Sequence, residues 1–424
     1  EEWAMIGAPT VSVQAARYAV TPRHGDRIRA NDTSVDAPLG PHCVSSMSNL
    51  TCVLGFFIAG VLAEKVGRRL TISIFSALNV VNWIGVSYAQ SLAALLATSA
   101  TVGVGFGVIL MLTTVATAEY MPPNIRGLCL SLISSVGVSF GVMLAHILSI
   151  LLHWRTVALI GTIPAGLSVI MPLFWVESPQ WLASKGKFDE SVKNKFFWAL
   201  LCSNIVISAY TVSTGSIPFQ AYAITMLQEM TGVTDVLWFT VAVDGLTLGG
   251  SCISCVVLGV TKMRTTLFFG ACFANVLLMT LSATLYFNSG SVLLQWLSCI
   301  LLGLYFIMIY AGPIPVLSAY VVEIVPLELK GFYFFVGGLI CGVASFMSVM
   351  FTPDLVKTFN YSGTFLLNTI IMSVCLLYFW KYLPETKGKS LQEIEFHYKK
   401  NAIENVLEDQ HIRQDCLLVE KSLY

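Results

Sequence analysis

The sequence predicts an all-helical integral membrane protein built as two equivalent bundles, and three observations predict it. First, the 424 residues are 56% hydrophobic and 11% charged, with no net charge. A soluble domain carries about 25% charged residues, so this chain has too little polar surface for a water-soluble globule. Second, the apolar residues gather into runs of about 20 or more, the length that crosses a bilayer as a helix. Third, a polar stretch between two runs, Glu119-Tyr120-Met121-Pro122-Pro123-Asn124-Ile125-Arg126-Gly127, recurs as Glu323-Ile324-Val325-Pro326-Leu327-Glu328-Leu329-Lys330-Gly331. In both copies an acid ends one run and a base opens the next at the same spacing. A repeat of about 200 residues is too long for a solenoid and reads as a duplicated bundle.

Residues 1–43 are broken by Arg17, Arg23, Asp26, Arg27, Arg29, Asp32 and Asp36, and only Ala4–Val13 is mildly apolar. Eleven runs then follow: Val44–Ala63, Leu70–Gln90, Leu92–Thr117, Leu128–Leu152, Val157–Val176, Phe196–Leu227, Val236–Val260, Leu267–Phe287, Val292–Tyr320, Phe332–Phe351 and Thr364–Leu383. Glu119 closes the third and Glu323 the ninth, so equivalent halves need six spans each. One span is then expected ahead of Val44, with Ala4–Val13 as the remnant of a first helix that is largely missing. The glycine cluster Gly103-Val104-Gly105-Phe106-Gly107 lies inside a run with no strand before it, so it serves close helix packing and not a nucleotide.

Loop charges set the orientation. With the Glu64–Arg69 loop placed inside, the inner loops hold eleven Lys and Arg, from Lys65 to Lys330, while the outer loops after the first run hold Arg155 and Lys357. This is the positive-inside pattern. It divides the chain into an extracellular segment (1–43), an N-terminal bundle (44–176), a short cytoplasmic linker (177–195), a C-terminal bundle (196–383) and a cytoplasmic tail (384–424). The acceptor triplet at Asn31 then lies outside and is a glycosylation candidate.

At these positions the chain resembles the sugar porters of the major facilitator superfamily, most closely the insect facilitated trehalose transporter group. The residues that carry the resemblance are Gly60–Arg69, Glu119 with Arg126-Gly127, Trp154-Arg155, Glu177-Ser178-Pro179, Gly312-Pro313-Ile314-Pro315, Glu323 with Lys330-Gly331, and Pro384-Glu385-Thr386-Lys387-Gly388. The resemblance runs from about Val44 to about Glu395 and implies two six-helix bundles related by a pseudo-twofold axis. A central path between them would open alternately to each side.

The gate candidates all fall at the inner mouth: Arg68, Arg69, Glu119, Arg126, Glu177, Arg264, Glu323, Lys330 and Glu385. Opposite charges at partly dehydrated helix ends attract more strongly than in bulk water. If they meet only when the inner side is closed, they stabilise one of two states. The other reading is anchoring of loops by the positive-inside rule alone.

The resemblance implies sugar ligands where this chain holds other residues. Ser134 stands where the family has Gln. Thr211 and Val212 stand for a glutamine pair, Ile217 for Asn, and Val316 for the Trp after Gly-Pro-x-Pro. The polar or path-lining candidates are Ser134, Thr211, Ser213, Tyr222, Asp244, Pro313, Pro315, Val316 and Asn368. For each, ordinary helix–helix hydrogen bonding is the alternative. The family's long cytoplasmic insert is reduced to the stretch between Glu190 and Phe196, and Thr98–Thr101 replaces its fourth-helix Arg.

Asp244, in mid-run, reads as path lining or as a hydrogen-bonded structural group, and His146 as a polar filler shielded from lipid. The eleven cysteines are scattered through apolar runs and read as packed thiols. No motif indicates an enzyme, a nucleotide, a metal or a cofactor, and there is no basic excess for nucleic acid. The expected function is alternating-access transport of a sugar, trehalose or a hexose, by facilitated diffusion in the plasma membrane. The expected partners are a small-molecule substrate and the lipid bilayer, with oligomeric state left open. A porter for another small polar or amphipathic solute, and a non-transporting family member, are the alternatives. Loss of ligating groups predicts weak, poorly selective sugar transport, because the bonds that offset dehydration of a sugar are gone.

Overall fold

The computed structural model describes residues 40–174, 190–231, 237–287, 291–324 and 330–389, together with Glu393. Asn31, Glu177 and most of the tail lie outside the described residues, as does the side chain of Lys330. Among the described residues twelve α-helices follow one another: α1 (Gly40–Lys65), α2 (Arg68–Tyr88), α3 (Leu92–Tyr120), α4 (Pro123–Leu151), α5 (Trp154–Ile170), α6 (Glu190–Ser213), α7 (Ser216–Thr231), α8 (Leu237–Val260), α9 (Met263–Tyr286), α10 (Val292–Ala311), α11 (Pro313–Glu323) and α12 (Lys330–Tyr382). Apolar runs become helices because backbone groups in lipid must be satisfied within the segment.

Two of the predicted single spans are broken. The run Phe196–Leu227 divides into α6 and α7 around Gly215, whose φ of 70° is left-handed backbone that glycine adopts without strain. The run Val292–Tyr320 divides at Gly312, and Pro313, lacking a donor, opens α11. Helix α4 carries a π-helical stretch, Leu132–Gly137. Helix α12 joins two predicted runs through Asn360, at φ 57°.

The chain reverses at Asn360. Before it, Tyr333 is bonded by Asn204 and Val349 by Tyr222, so α12 runs with α6 and α7. After it, Ser362 pairs with Ser282, Ser373 with Asn275, and the Trp380 carbonyl with Arg264, so the second limb runs against α9. Eight stretches are long and apolar enough to cross a membrane, one of them the 48-residue Phe335–Tyr382, and two shorter apolar helices are Met47–Ala63 and Leu200–Ser213. With the reversal counted as one more pass, the described residues make eleven passes of a multi-pass membrane protein.

The bundles pack through small residues. A Cβ on Gly55 would lie 2.3 Å from the Val104 carbonyl oxygen, and one on Gly107 2.3 Å from that of Cys52, so α1 and α3 touch backbone to backbone. Between bundles, α1 meets the first limb of α12, where Phe56 covers Gly338 and Phe57 meets Phe335 at 4.9 Å. The second seam joins α4 to α8 through Ser131 and Ser254 at 2.5 Å, and through Ser135 and Ser139, each 3.0 Å from Ser251. Exchanging the halves of the repeat carries one seam onto the other, as a pseudo-twofold axis along the bundle requires.

Candidate functional site

The described acids and bases of the repeat, Glu119, Arg126 and Glu323, gather at one end of the molecule, the charged mouth. Arg68 opens α2 and Glu119 ends α3; their side chains meet at 3.2 Å, and Arg68 also reaches the Ala63 carbonyl at 3.4 Å. Both belong to the N-terminal bundle. Arg126, on the first turn of α4, does not pair with Glu119. It crosses to the C-terminal bundle, where its Nη1 lies 4.0 Å from Glu323 Oε1, with 4% and 3% of the two side chains exposed. The same guanidinium donates to the Lys389 carbonyl at 3.5 Å, and the Thr386 hydroxyl lies 3.2 Å from the Met263 sulfur. This ion pair therefore fastens one bundle to the other and to the segment after α12.

The other gate candidates among the described residues make contacts within their own half of the molecule. Arg69 donates to the Leu173 carbonyl, and Arg264 to the Trp380 carbonyl while lying over the Phe268 ring. Glu385 takes the backbone N–H of Met263 at 3.1 Å and of Arg264 at 3.0 Å, capping the start of α9. Lys387 donates to the carbonyls of Leu258, Gly259 and Thr261 at 2.8, 2.9 and 2.6 Å, capping the end of α8. An acid at a helix start and a base at a helix end both oppose the local dipole charge. The sequence signal for this, alternating acid and base just past the last apolar run, was readable as charge but not as capping.

A cavity of about 290 Å³ lies between the bundles, starting within a turn of Glu323 at Val321 and Val322. Helices α1, α3, α4, α6, α11 and α12 line it, mostly with apolar side chains. Its polar side chains are Thr114, Ser134, Asn204, Ser208, Thr211 and Ser318. Most of these spend their donors locally. Thr114 bonds the Leu110 carbonyl, Ser134 that of Leu130, Thr211 that of Ile207 and Ser318 that of Pro315, while Ser208 donates to Asn204. Ser134 and Ser318 also meet across the bundles at 3.1 Å.

Of the path candidates, the structure brings only Ser134 and Thr211 to this cavity. Ser213 is buried within α6, and Tyr222 donates to the Val349 carbonyl inside the C-terminal bundle. Pro313 packs on Gly270; Pro315 and Val316 are buried in the C-terminal core, and Asn368 stands near Gly215. Val316 and Ser318 differ because two residues turn a helix by about 200°. The break at Gly312 sets that rotation, and it leaves Ser318 on the cavity side. Asp244 is not on the cavity either. It lies in the α4–α8 seam with its Oδ2 2.5 Å from His146 Nδ1, so His146 is a partner and not a filler. Sequence reasoning also passed over Asn204 and Ser208, polar residues on one face of α6 four positions apart.

The family profile described as "Sugar (and other) transporter" matches residues 3–200 and 190–398. The chain belongs to this family. Among curated relatives of this transporter, "Sugar transporter ERD6-like 6" of Arabidopsis thaliana is 25% identical over 396 residues, covering 82% of this chain and 80% of that protein. "Facilitated trehalose transporter Tret1" of Apis mellifera ligustica is 24% identical over 396 residues, covering 83% and 78%. Among solved structures, the MFS proton:xylose symporter XylE bound to 6-bromo-6-deoxy-D-glucose superposes with a TM-score of 0.79 at 17% identity, over 94% of this chain and 97% of that one. The fold is therefore that of the major facilitator superfamily. The inward open form of XylE from E. coli gives 0.67 at 18% identity, over 93% and 97%.

Proposed function

We propose that this transporter carries a sugar, a hexose or trehalose, by facilitated diffusion, with the cavity opening alternately to each side. The observation that carries the reading is the cavity itself: it lies between the bundles, and Arg126 and Glu323, one from each bundle, pair within a turn of its Val321–Val322 end. The names of the relatives support a sugar as cargo. The excess of Lys and Arg supports a cytoplasmic charged mouth, with residues 384–424 on that side of a plasma membrane. Arg68, Arg69, Glu119, Arg126, Arg264, Glu323 and Glu385, with Glu177 and Lys330, serve in this reading as the gate.

A second reading has an observation of its own. The cavity wall is largely apolar and its hydroxyls are bonded to their own helices, which suits a small amphipathic solute with few hydroxyls. Uptake and counterflow of labelled trehalose and glucose in vesicles carrying the full-length protein separate the two. We expect uptake above empty vesicles, saturating only at high sugar and with little discrimination between epimers. Tight, epimer-selective uptake would contradict this account of the cavity wall. No uptake of any sugar, with exchange of an amphipathic competitor, would establish the second reading.

A further inference from the structure

The His146–Asp244 pair is used by neither the gate nor the cavity. His146 comes from α4 and Asp244 from α8, so the contact joins the two bundles; 8% and 4% of the side chains are exposed. His146 lies five residues before the end of α4 and Asp244 seven after the start of α8. At 1.5 Å per residue the pair sits roughly 8–10 Å in from the mouth opposite the charged one. Toward the charged mouth the same seam is closed by serine hydroxyls, which carry no net charge.

We infer that His146 and Asp244 form a proton-binding site that holds this end of the seam shut, so that the opening of the opposite mouth responds to pH. With one proton on the pair, imidazole and carboxylate together are neutral and the 2.5 Å contact is satisfied in a dry seam. Loss of that proton to water leaves a buried carboxylate facing a neutral imidazole. An uncompensated buried charge is costly, whereas in a wetted seam it is not. The proton therefore favours the shut seam and its loss favours the parted one, a differential interaction of the kind a switch needs. Ionisable side chains inside membrane spans are default candidates for such relays.

Other ionisable groups near the seam, among the described residues, do not replace the pair. Tyr310 of α10 feels Asp244 and takes a hydrogen bond from Gln220 of α7. The Cys129 and Cys255 thiols lie toward the charged mouth, where Cys255 contacts Ser131. Arg155 of α5 is bound to the Ala89 carbonyl, and Glu323 of α11 to Arg126.

The test needs no sugar, so it stands or falls apart from the proposed cargo. Val142 is buried one turn from His146 on α4. In a Val142→Cys background, labelling at position 142 by a membrane-impermeant maleimide is followed across about pH 5 to 8, the range in which histidine switches charge. The rate is compared with that of a free thiol at each pH, and the site is read by mass spectrometry. The normalised rate is expected to fall about tenfold from the high to the low end. It should be flat in Asp244→Asn and in His146→Gln, and pH-dependent again in the exchanged pair His146→Asp with Asp244→His. A flat profile in the Val142→Cys parent overturns the inference. So does a pH slope that survives in whichever single variant folds, because a purely structural tie predicts no difference in slope.

Discussion

Arg126 and Glu323 meet across the two bundles at the charged mouth, buried to 4% and 3% exposure. Removing one partner of a buried ion pair leaves the other charge uncompensated, at a cost of about 3–5 kcal/mol, and about 1.4 kcal/mol already moves a two-state population about tenfold. Arg126→Ala is therefore expected to open the charged mouth. Cys341, which lines the cavity, reports it: alkylation of that thiol from the charged side should rise about tenfold, and unchanged labelling would leave Arg126 an anchor of topology only. Adding Glu323→Gln should restore part of the closure, because it removes the charge left buried without its partner. Val316 makes a contrasting case. It is 0% exposed inside the C-terminal core, so Val316→Trp overpacks and should cost about 1–3 kcal/mol. A lowered melting temperature with no gain in solute affinity is the expected outcome. The sequence repeat placed both charged residues at one mouth, but which acid each base chooses is a tertiary fact. Glu119 is seven residues from Arg126 and takes Arg68 instead.

At the scale of elements, the apolar runs showed where helices lie because lipid forces every long run to satisfy its own backbone. They did not show the breaks. Gly215 and Gly312 each interrupt a run whose apolar character continues on both sides of the break, so no change of periodicity marks where the helix stops. The break at Gly312 sets the rotation of α11, and with it the choice of Ser318 over Val316 for the cavity. The glycines inside helices divide by what they touch. On Gly107 a Cβ would lie 2.3 Å from the Cys52 carbonyl oxygen, whereas on Gly249 nothing lies within 4 Å. Gly107→Leu should prise α1 from α3 and sharply reduce the fraction of protein that runs as a single species in detergent. Gly249→Ala should be neutral or add about 0.5–1 kcal/mol through helix propensity. Equal behaviour of the two variants would mean that α1 and α3 are not in backbone contact.

For the whole molecule, the repeat proved the most informative feature of the sequence. It predicted equivalent halves, and the two seams, α1 with α12 and α4 with α8, are related by exchange of those halves. What the repeat could not give was the wall of the cavity, since that depends on which side of each helix faces inward once six helices have packed. In the proposed transport cycle, the cavity opens at the charged mouth only when the bundles part at Arg126 and Glu323. Bridging Arg126→Cys to Glu323→Cys with a short bifunctional thiol reagent tests it most directly, with solute counterflow in vesicles as the readout. Cross-linked protein should bind solute from the opposite side yet carry none through, and cleaving the bridge should restore flux. Undiminished flux with the bridge intact would contradict the claim.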